Sequence, residues 1–251
     1  MIKINLVEYF ENTVRKYADK IAVYDKERDI TFSGLEQKCK LLASEIISRK
    51  SVIKKPIAIY LNKSIESVYS DLAVIYSGNF YMNLDVKTPV TRIKNILELV
   101  CPEVIITNNQ FEKNIQDIVP QETMVINLDT VNFSEIVRDD NMLFTRLGTL
   151  IDTDPLCIIN TSGSTGTPKG VVLNHRSFVD FTEWADDTFA FTDEEIIGSL
   201  SPLVFDIYSF ELCMLMAKGS TIVLIPDHLS AFPAAILQLL QEKRVSFIFW
   251  V

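Results

Sequence analysis

The sequence predicts an α/β protein: layered, mainly parallel β-sheet with flanking helices in both halves of the chain. Three observations predict it. Short apolar runs rich in Ile and Val alternate with longer segments of helical period along nearly all of the 251 residues. Several of the helical segments carry boundary signals, such as Ser64 before and Gly78 after one of them. The composition, 48% hydrophobic and 23% charged, suffices for a large core or for two subdomains.

Residues 4–17 place Leu6, Val7, Phe10, Val14 and Tyr17 at helical spacing. Residues 21–24 and 29–32 read as two short strands joined by a charged turn at 25–28. Ser33 with Glu36 has the pattern of a capping box, so a helix is expected from there to about Ser48, with Leu35, Leu42, Ile46 and Ile47 inward. Residues 56–60 form a buried strand. Ser64, with Glu66 in the next turn, opens another helix that Gly78 ends. Residues 80–85 are short and apolar, and Thr88-Pro89 opens a helix through Val100. Strands follow at 102–107 and 123–127, the first closed by a turn at Asn108-Asn109. From 128 to 155 the chain is polar, mixed and without clear period. It reads as a surface connection between two subdomains, with one short helix around 134–137.

Apolar runs at 156–159 and 171–173 then enclose a Gly/Ser/Thr loop. Residues 177–188 read as a helix with Phe178, Phe181, Trp184 and Ala185 on one face, Phe181 and Trp184 in the core. A strand at 196–200 is approached by the solvated acidic run 193–195. A helix at 205–216 is ended by Lys218-Gly219, and a strand at 221–225 is closed by Pro226. Ser230 is expected to cap a helix through Gln241. The final strand, 245–251, has no cap, turn or tail behind it, which gives the expectation that the chain is cut inside a longer domain.

Net charge is −9, against a generally basic surface for nucleic acid or membrane lipid. Asn5 and Glu8 interrupt the first apolar run, so no secretion signal is read. No uncharged apolar run approaches the length of a membrane span. Cys39, Cys101, Cys157 and Cys213 are widely spaced, as reduced thiols of a cytoplasmic protein are. With only His175 and His228, no metal ligand is assigned. His175 is expected to help cap the helix that follows it, and His228 to be solvent-exposed.

The loop is the least ordinary stretch. Residues 160–170 read Asn-Thr-Ser-Gly-Ser-Thr-Gly-Thr-Pro-Lys-Gly. A Walker loop fails, because Gly163 puts Pro168 where the second Gly belongs. The dinucleotide fingerprint fails too, because Val171 onward is a strand former. Two readings stay open on pattern alone. In one, Gly163 and Gly166 let backbone N–H groups face one concavity, Ser162, Ser164, Thr165 and Thr167 add hydroxyls, and Lys169 adds a point charge: a phosphate cradle. In the other, the stretch is a flexible surface linker. The abutting strands and the Pro-Lys-Gly exit favour the cradle.

The stretch 160–170 also resembles the signature phosphate loop of the adenylate-forming (AMP-binding) superfamily, which includes acyl-CoA synthetases, luciferases and the adenylation domains of nonribosomal peptide synthetases. Residues 30–35, Ile-Thr-Phe-Ser-Gly-Leu, are similar to its Leu-Thr-Tyr-x-Glu-Leu segment, with Gly34 where Glu is usual. Residues 76–85 resemble Lys-Ala-Gly-x-Ala-Tyr-Val-Pro-Ile-Asp of the amino-acid-activating branch, with Asn83 where Pro is usual. Phe205-Asp206 matches the start of that branch's Phe-Asp-x-Ser segment, with Tyr208 where Ser is usual.

The resemblance implies the N-terminal part of the large domain of such an enzyme. It implies activation of an amino-acid carboxylate by ATP and later transfer to the phosphopantetheine thiol of a carrier protein. The implied grip on the ATP phosphates is Thr161, Ser162, Gly163, Ser164, Thr165, Gly166, Thr167 and Lys169, with Thr165 and Lys169 the catalytic pair. By the same resemblance Asp206 pairs with the substrate's α-ammonium, and Ile207 and Phe210 line a pocket for a small or apolar side chain. Read without it, Asp206 is an N-terminal helix carboxylate facing the helix dipole. The Mg²⁺ ligand, the adenine pocket, the ribose-binding Asp and a mobile C-terminal subdomain with a catalytic Lys are expected beyond Val251. These 251 residues alone are then expected to bind ATP weakly and catalyse little. An acyl-CoA ligase acting on another carboxylic acid, and a non-catalytic relic of the fold, are the competing readings.

Overall fold

Two sheets, with helices between and around them, make up the chain in a computed structural model, which describes residues 5–162 and 168–250. Helix α1 (Leu6–Tyr17) is capped by Asn5, whose side chain accepts the Glu8 N–H at 3.2 Å. Strands β1 (Ile21–Asp25) and β2 (Arg28–Thr31) form a hairpin. Helix α2 (Phe32–Arg49) starts two residues earlier than Ser33 implies. Its cap is Thr31, whose hydroxyl accepts the Gly34 N–H, while the Ser33 hydroxyl lies 3.1 Å from that of Thr31. Strand β3 (Pro56–Ile59) leads to α3 (Ile65–Tyr76), capped by Ser64 with Ser67 as its reciprocal partner. Gly78, at φ +79°, turns the chain into β4 (Phe80–Asn83).

Helix α4 (Val90–Val100), β5 (Val104–Thr107), the one-turn α5 (Glu112–Ile115) and β6 (Met124–Asn127) follow. The connection from β6 holds its helix later than the sequence suggests: α6 spans Asp140–Leu147, and residues 134–137 are not helical. What docks α6 is Arg146, whose guanidinium donates to the carbonyls of Val52 and Ser77 and to the Ser51 hydroxyl. These partners are far away in sequence, so no local pattern announces them.

Strands β7 (Pro155–Ser162) and β8 (Pro168–Asn174) are followed by α7 (His175–Phe189), β9 (Ile196–Ser199), α8 (Asp206–Lys218) and β10 (Thr221–Leu224). Ser230 caps nothing: it lies inside a 3₁₀ turn, Asp227–Ala231, and α9 (Pro233–Glu242) begins at Pro233, whose fixed φ suits the first helical position. The last strand shrinks to β11 (Phe247–Ile248).

The first sheet has the order β11-β9-β10-β1-β2 and the second β6-β5-β3-β4-β7-β8. Every pairing is parallel except β1 with β2 and β7 with β8, each at a sheet edge. The connection from 128 to 155 therefore joins two strands of the same sheet. Helix α3 touches β1 of the first sheet and β3 and β4 of the second, and lies between them. Its burial is nearly complete, from Val68 to Tyr76. Helix α8 packs on β9 and β10 and meets α1 and α7. Among the described residues, no helix is long and apolar enough to cross a membrane.

Candidate functional site

Residues 160–162 and 168–170 face one another at the tip of the β7–β8 hairpin. Strand β7 is parallel to β4, so the tip lies at the carboxyl end of the parallel strands, where open α/β sheets bind ligands. Cross-strand partners are Asn160 with Gly170, Thr161 with Lys169 and Ser162 with Pro168. Inward residues Leu156, Cys157 and Ile158 are buried, while Val171 and Val172 on β8 are exposed. Gly170 lets the strands close, because a Cβ there would lie 3.0 Å from the Ile158 side chain. The Thr161 hydroxyl donates to the Lys169 carbonyl at 3.4 Å, and both side chains face solvent. Gly163, Ser164, Thr165, Gly166 and Thr167 lie outside the described residues, as does the Ser162 side chain.

Beside the hairpin opens a cavity of about 820 Å³. One wall is the end of β4 and its continuation, Asn83, Leu84 and Asp85; another is Asn160 and Thr161; a third is Val204, Phe205 and Asp206 at the start of α8. A second, more apolar cavity of about 330 Å³ lies between α7 and α8, with Phe178, Phe181, Phe210 and Phe249 in its lining. Asp206, Ile207 and Phe210 all line it, and Asp206 lines both cavities. Asp206 is exposed and accepts the Ile207 N–H at 3.0 Å; among the described residues no cation pairs with it. Phe181 and Trp184 are not core residues. They stack at 5.6 Å with Trp184 53% exposed, and Phe181 packs edge-on against Phe210 at the cavity wall.

A sequence model of the AMP-binding enzyme family matches residues 10–251. The chain belongs to that family. Among its relatives, tyrocidine synthase 2 of Brevibacillus parabrevis is 27% identical over 251 residues, 98% of this chain and 7% of its own length. The dimodular nonribosomal peptide synthase of Bacillus subtilis (strain 168) is 30% identical over 257 residues, 97% of this chain and 10% of its own length. The chain thus spans a tenth or less of these curated relatives. Among solved structures, the nonribosomal peptide synthetase FmoA3 bound to alpha-methyl-L-serine-AMP superposes with a TM-score of 0.83 at 22% identity, over 97% of this chain and 26% of that one. VinN in complex with L-aspartate gives 0.81 at 14% identity, over 98% and 68%. These likenesses establish the AMP-binding fold of both sheets.

In this AMP-binding chain, three buried ionisable groups surround the start of α8, and local sequence pattern marks none of them. Asp71, in the middle of apolar α3, is pushed up to about 7 by burial, although Tyr208 and Asn83 donate to it. The Lys63 side chain is 4% exposed, and its ammonium donates to the carbonyls of Ser199, Leu200 and Ser201 at 2.9, 3.1 and 3.1 Å. It thereby fastens the end of β9, from which the chain runs on to Asp206. Burial draws its pKa down, with Asp227 opposing. Glu211, one turn into α8, has no partner in good hydrogen-bond geometry on either carboxylate oxygen among the described residues, and burial pushes it up to about 8. The nearby Ser199 hydroxyl and the Lys63 charge offset only part of that cost.

A carboxyl raised in the fold resists ionisation there while the unfolded chain ionises freely. Glu211 therefore costs stability increasingly as pH rises from about 4.5 towards 8. Glu211→Gln, which keeps the shape and removes the titration, is expected to raise Tm by roughly 4–8 °C more at pH 8 than at pH 5, measured by calorimetry. An equal gain at both pH values would show that Glu211 does not titrate high.

His175 does not cap α7. Asn174 does, accepting the Ser177 N–H at 2.9 Å, and His175 is fully buried behind it, held down to about 4 by desolvation. His228 is exposed. Among the described residues no three His, Cys, Asp or Glu side chains gather into a metal site.

Proposed function

We propose that this chain carries the nucleotide-phosphate and amino-acid-binding side of an amino-acid adenylating ligase, the N-terminal part of an adenylation domain. The observation that carries the reading is the position of Asp206 on the wall common to two cavities, one beside the phosphate-loop hairpin and the other lined by aromatic side chains. A carboxylate there attracts an α-ammonium, leaves the substrate's side chain to the apolar cavity, and points the substrate's own carboxylate towards the hairpin. Exposed and without a cation among the described residues, the carboxylate is free to take the ammonium as its partner. The peptide synthetases among the relatives, and the amino-acid and aminoacyl-AMP complexes of VinN and FmoA3, support the same substrate class.

In this reading a substrate carboxylate oxygen attacks the α-phosphorus of ATP. The bond from that phosphorus to the bridging oxygen breaks, and pyrophosphate leaves. The chain's task is positional and electrostatic, and no covalent nucleophile on the protein is required. Thr161, Ser162, Gly163, Ser164, Thr165, Gly166 and Thr167 hold the β- and γ-phosphates, and Lys169 balances the charge that builds on the leaving pyrophosphate. Mg²⁺ accompanies the nucleotide, with its protein ligand placed outside these residues. The phosphopantetheine thiol of a carrier protein then attacks the aminoacyl carbonyl, the mixed-anhydride bond breaks, and AMP leaves as the thioester forms.

The experiment is ATP–pyrophosphate exchange by the full-length protein over a panel of amino acids, with fatty and aryl acids alongside. Exchange is expected with an amino acid of small or apolar side chain. Exchange driven by acids lacking an α-ammonium would favour the acyl-CoA ligase reading, and exchange with none of them the relic.

A further inference from the structure

Two of the positions at which the amino-acid-activating segments depart from their usual residues, Asn83 and Tyr208, meet on one side chain. The Tyr208 hydroxyl donates to Asp71 Oδ2 at 2.6 Å, and Asn83 Nδ2 donates to Asp71 Oδ1 at 3.0 Å. All three residues are buried, Asp71 and Tyr208 completely. They belong to three different elements: α3 between the sheets, the last residue of β4, and the first turn of α8. Asn83 lines the larger cavity on the β4 side. Asp206, two residues before Tyr208, lines it on the α8 side. One carboxylate thus ties together the two walls of the cavity, one wall to each oxygen.

This arrangement is costly as a source of stability alone. A buried acid with two neutral donors is often no better than apolar packing of the same shape, and such groups are kept where they fix one geometry. A hydrogen bond to a charged acceptor is also stronger and more directional than a neutral one. The titratable groups that feel Asp71 are Cys39 on α2, Tyr81 on β4, Cys157 on β7 and Tyr208 itself, each raised by burial and neutral. Of these groups Asp71, at about 7, is the one that ionises near neutrality, so the charged acceptor is present above that pH.

We propose that Asp71 is a positioning residue for the amino-acid site: through Tyr208 it fixes the start of α8, through Asn83 the end of β4, and so it sets where Asp206 stands across the cavity. The proposal rests on the reading of Asp206 as the ammonium's partner. Asn83 and Tyr208 are then a matched pair, each meaningful in the presence of Asp71.

The test uses Tyr208→Phe, Asp71→Asn and the double variant in the full-length protein. The best amino acid of the panel is used in pyrophosphate exchange. Tyr208→Phe, which removes one oxygen and keeps the ring, is expected to raise the amino acid's KM about 5- to 20-fold, with the KM of ATP within about twofold. Asp71→Asn is expected to move the same constant in the same direction. The double variant should be no worse than the poorer single one, the signature of a shared interaction. Amide hydrogen exchange across residues 207–210 should quicken in both single variants, and this readout does not depend on activity. An unchanged amino-acid KM, equal rises in both KM values, or additive effects of the two substitutions would overturn the proposal. If the wild-type protein activates no amino acid, the functional reading fails by itself. Hydrogen exchange then still decides the brace: protection at 207–210 that is indifferent to Tyr208→Phe means that Asp71 fixes nothing there.

Discussion

Asp206→Ala is expected to raise the KM of the amino acid about 30- to 700-fold and to leave that of ATP within about twofold, measured by pyrophosphate exchange with each substrate varied in turn. The magnitude follows from the chemistry of the pair. Removing one member of an ion pair that is desolvated on binding costs about 2–4 kcal/mol, and each 1.4 kcal/mol is a factor of ten. Asp206 stands at the first position of α8 with its carboxylate exposed and without a cation among the described residues, so it is free to take one. Loss of its interaction with the helix dipole costs only about 0.3–1 kcal/mol, so the fold survives the change. Asp206→Asn should behave like the alanine variant, because charge and not shape is what the ammonium reads. A parallel rise in both KM values would mean that Asp206 shapes the cavity without pairing with the substrate.

Lys169→Ala is expected to give the opposite pattern. The rate of exchange should fall about 100- to 1000-fold, with the amino acid's KM within about threefold, since a charge aimed at the departing pyrophosphate matters most when that charge develops. The side chain is exposed on the edge strand β8, opposite Thr161, so its loss should leave Tm within about 1 °C. A fall in rate of less than about threefold would remove Lys169 from the phosphate grip. Run side by side, the two variants separate the two ends of the reaction: one loses the amino acid, the other the pyrophosphate.

What the sequence revealed, and what it hid, follows from the range of the forces involved. The hairpin was legible because its residues speak locally: apolar runs abut both sides of a Gly/Ser/Thr loop. Ser64 and Gly78 mark their helix for the same reason, through a cap and a positive φ. Thr31 outcompetes Ser33 for the cap of α2 because two hydroxyls two residues apart offer the same chemistry, and the position of the β2 strand end decides between them. Helix α6 lies later than expected because its anchor, Arg146, finds its partners in residues 51–77. Phe181 has helical spacing but lines a cavity, and Trp184 stacks on it in solvent, which periodicity does not register. Asp71 and Glu211 look like single polar interruptions of apolar helices. Only the packing of α3 and α8 between and beneath the sheets shows that both are sealed from water.

The topology also imposes a timetable. All six strands of the second sheet are complete by Asn174, whereas the first sheet needs β1 to find β10, with the Thr221 hydroxyl reaching the Ile21 carbonyl across 200 residues of sequence. On a ribosome adding about 5–20 residues per second, the roughly 50 residues from the end of β8 to the end of β10 take on the order of 3–10 s. For that interval β1 and β2 form a hairpin without their parallel neighbour, and the face of α1 that packs on α8, where the Thr13 hydroxyl reaches the Met216 carbonyl, waits for α8. Nascent chains paused between residues 174 and 206 should therefore expose this apolar helix to chaperones, and release it once α8 and β10 have emerged.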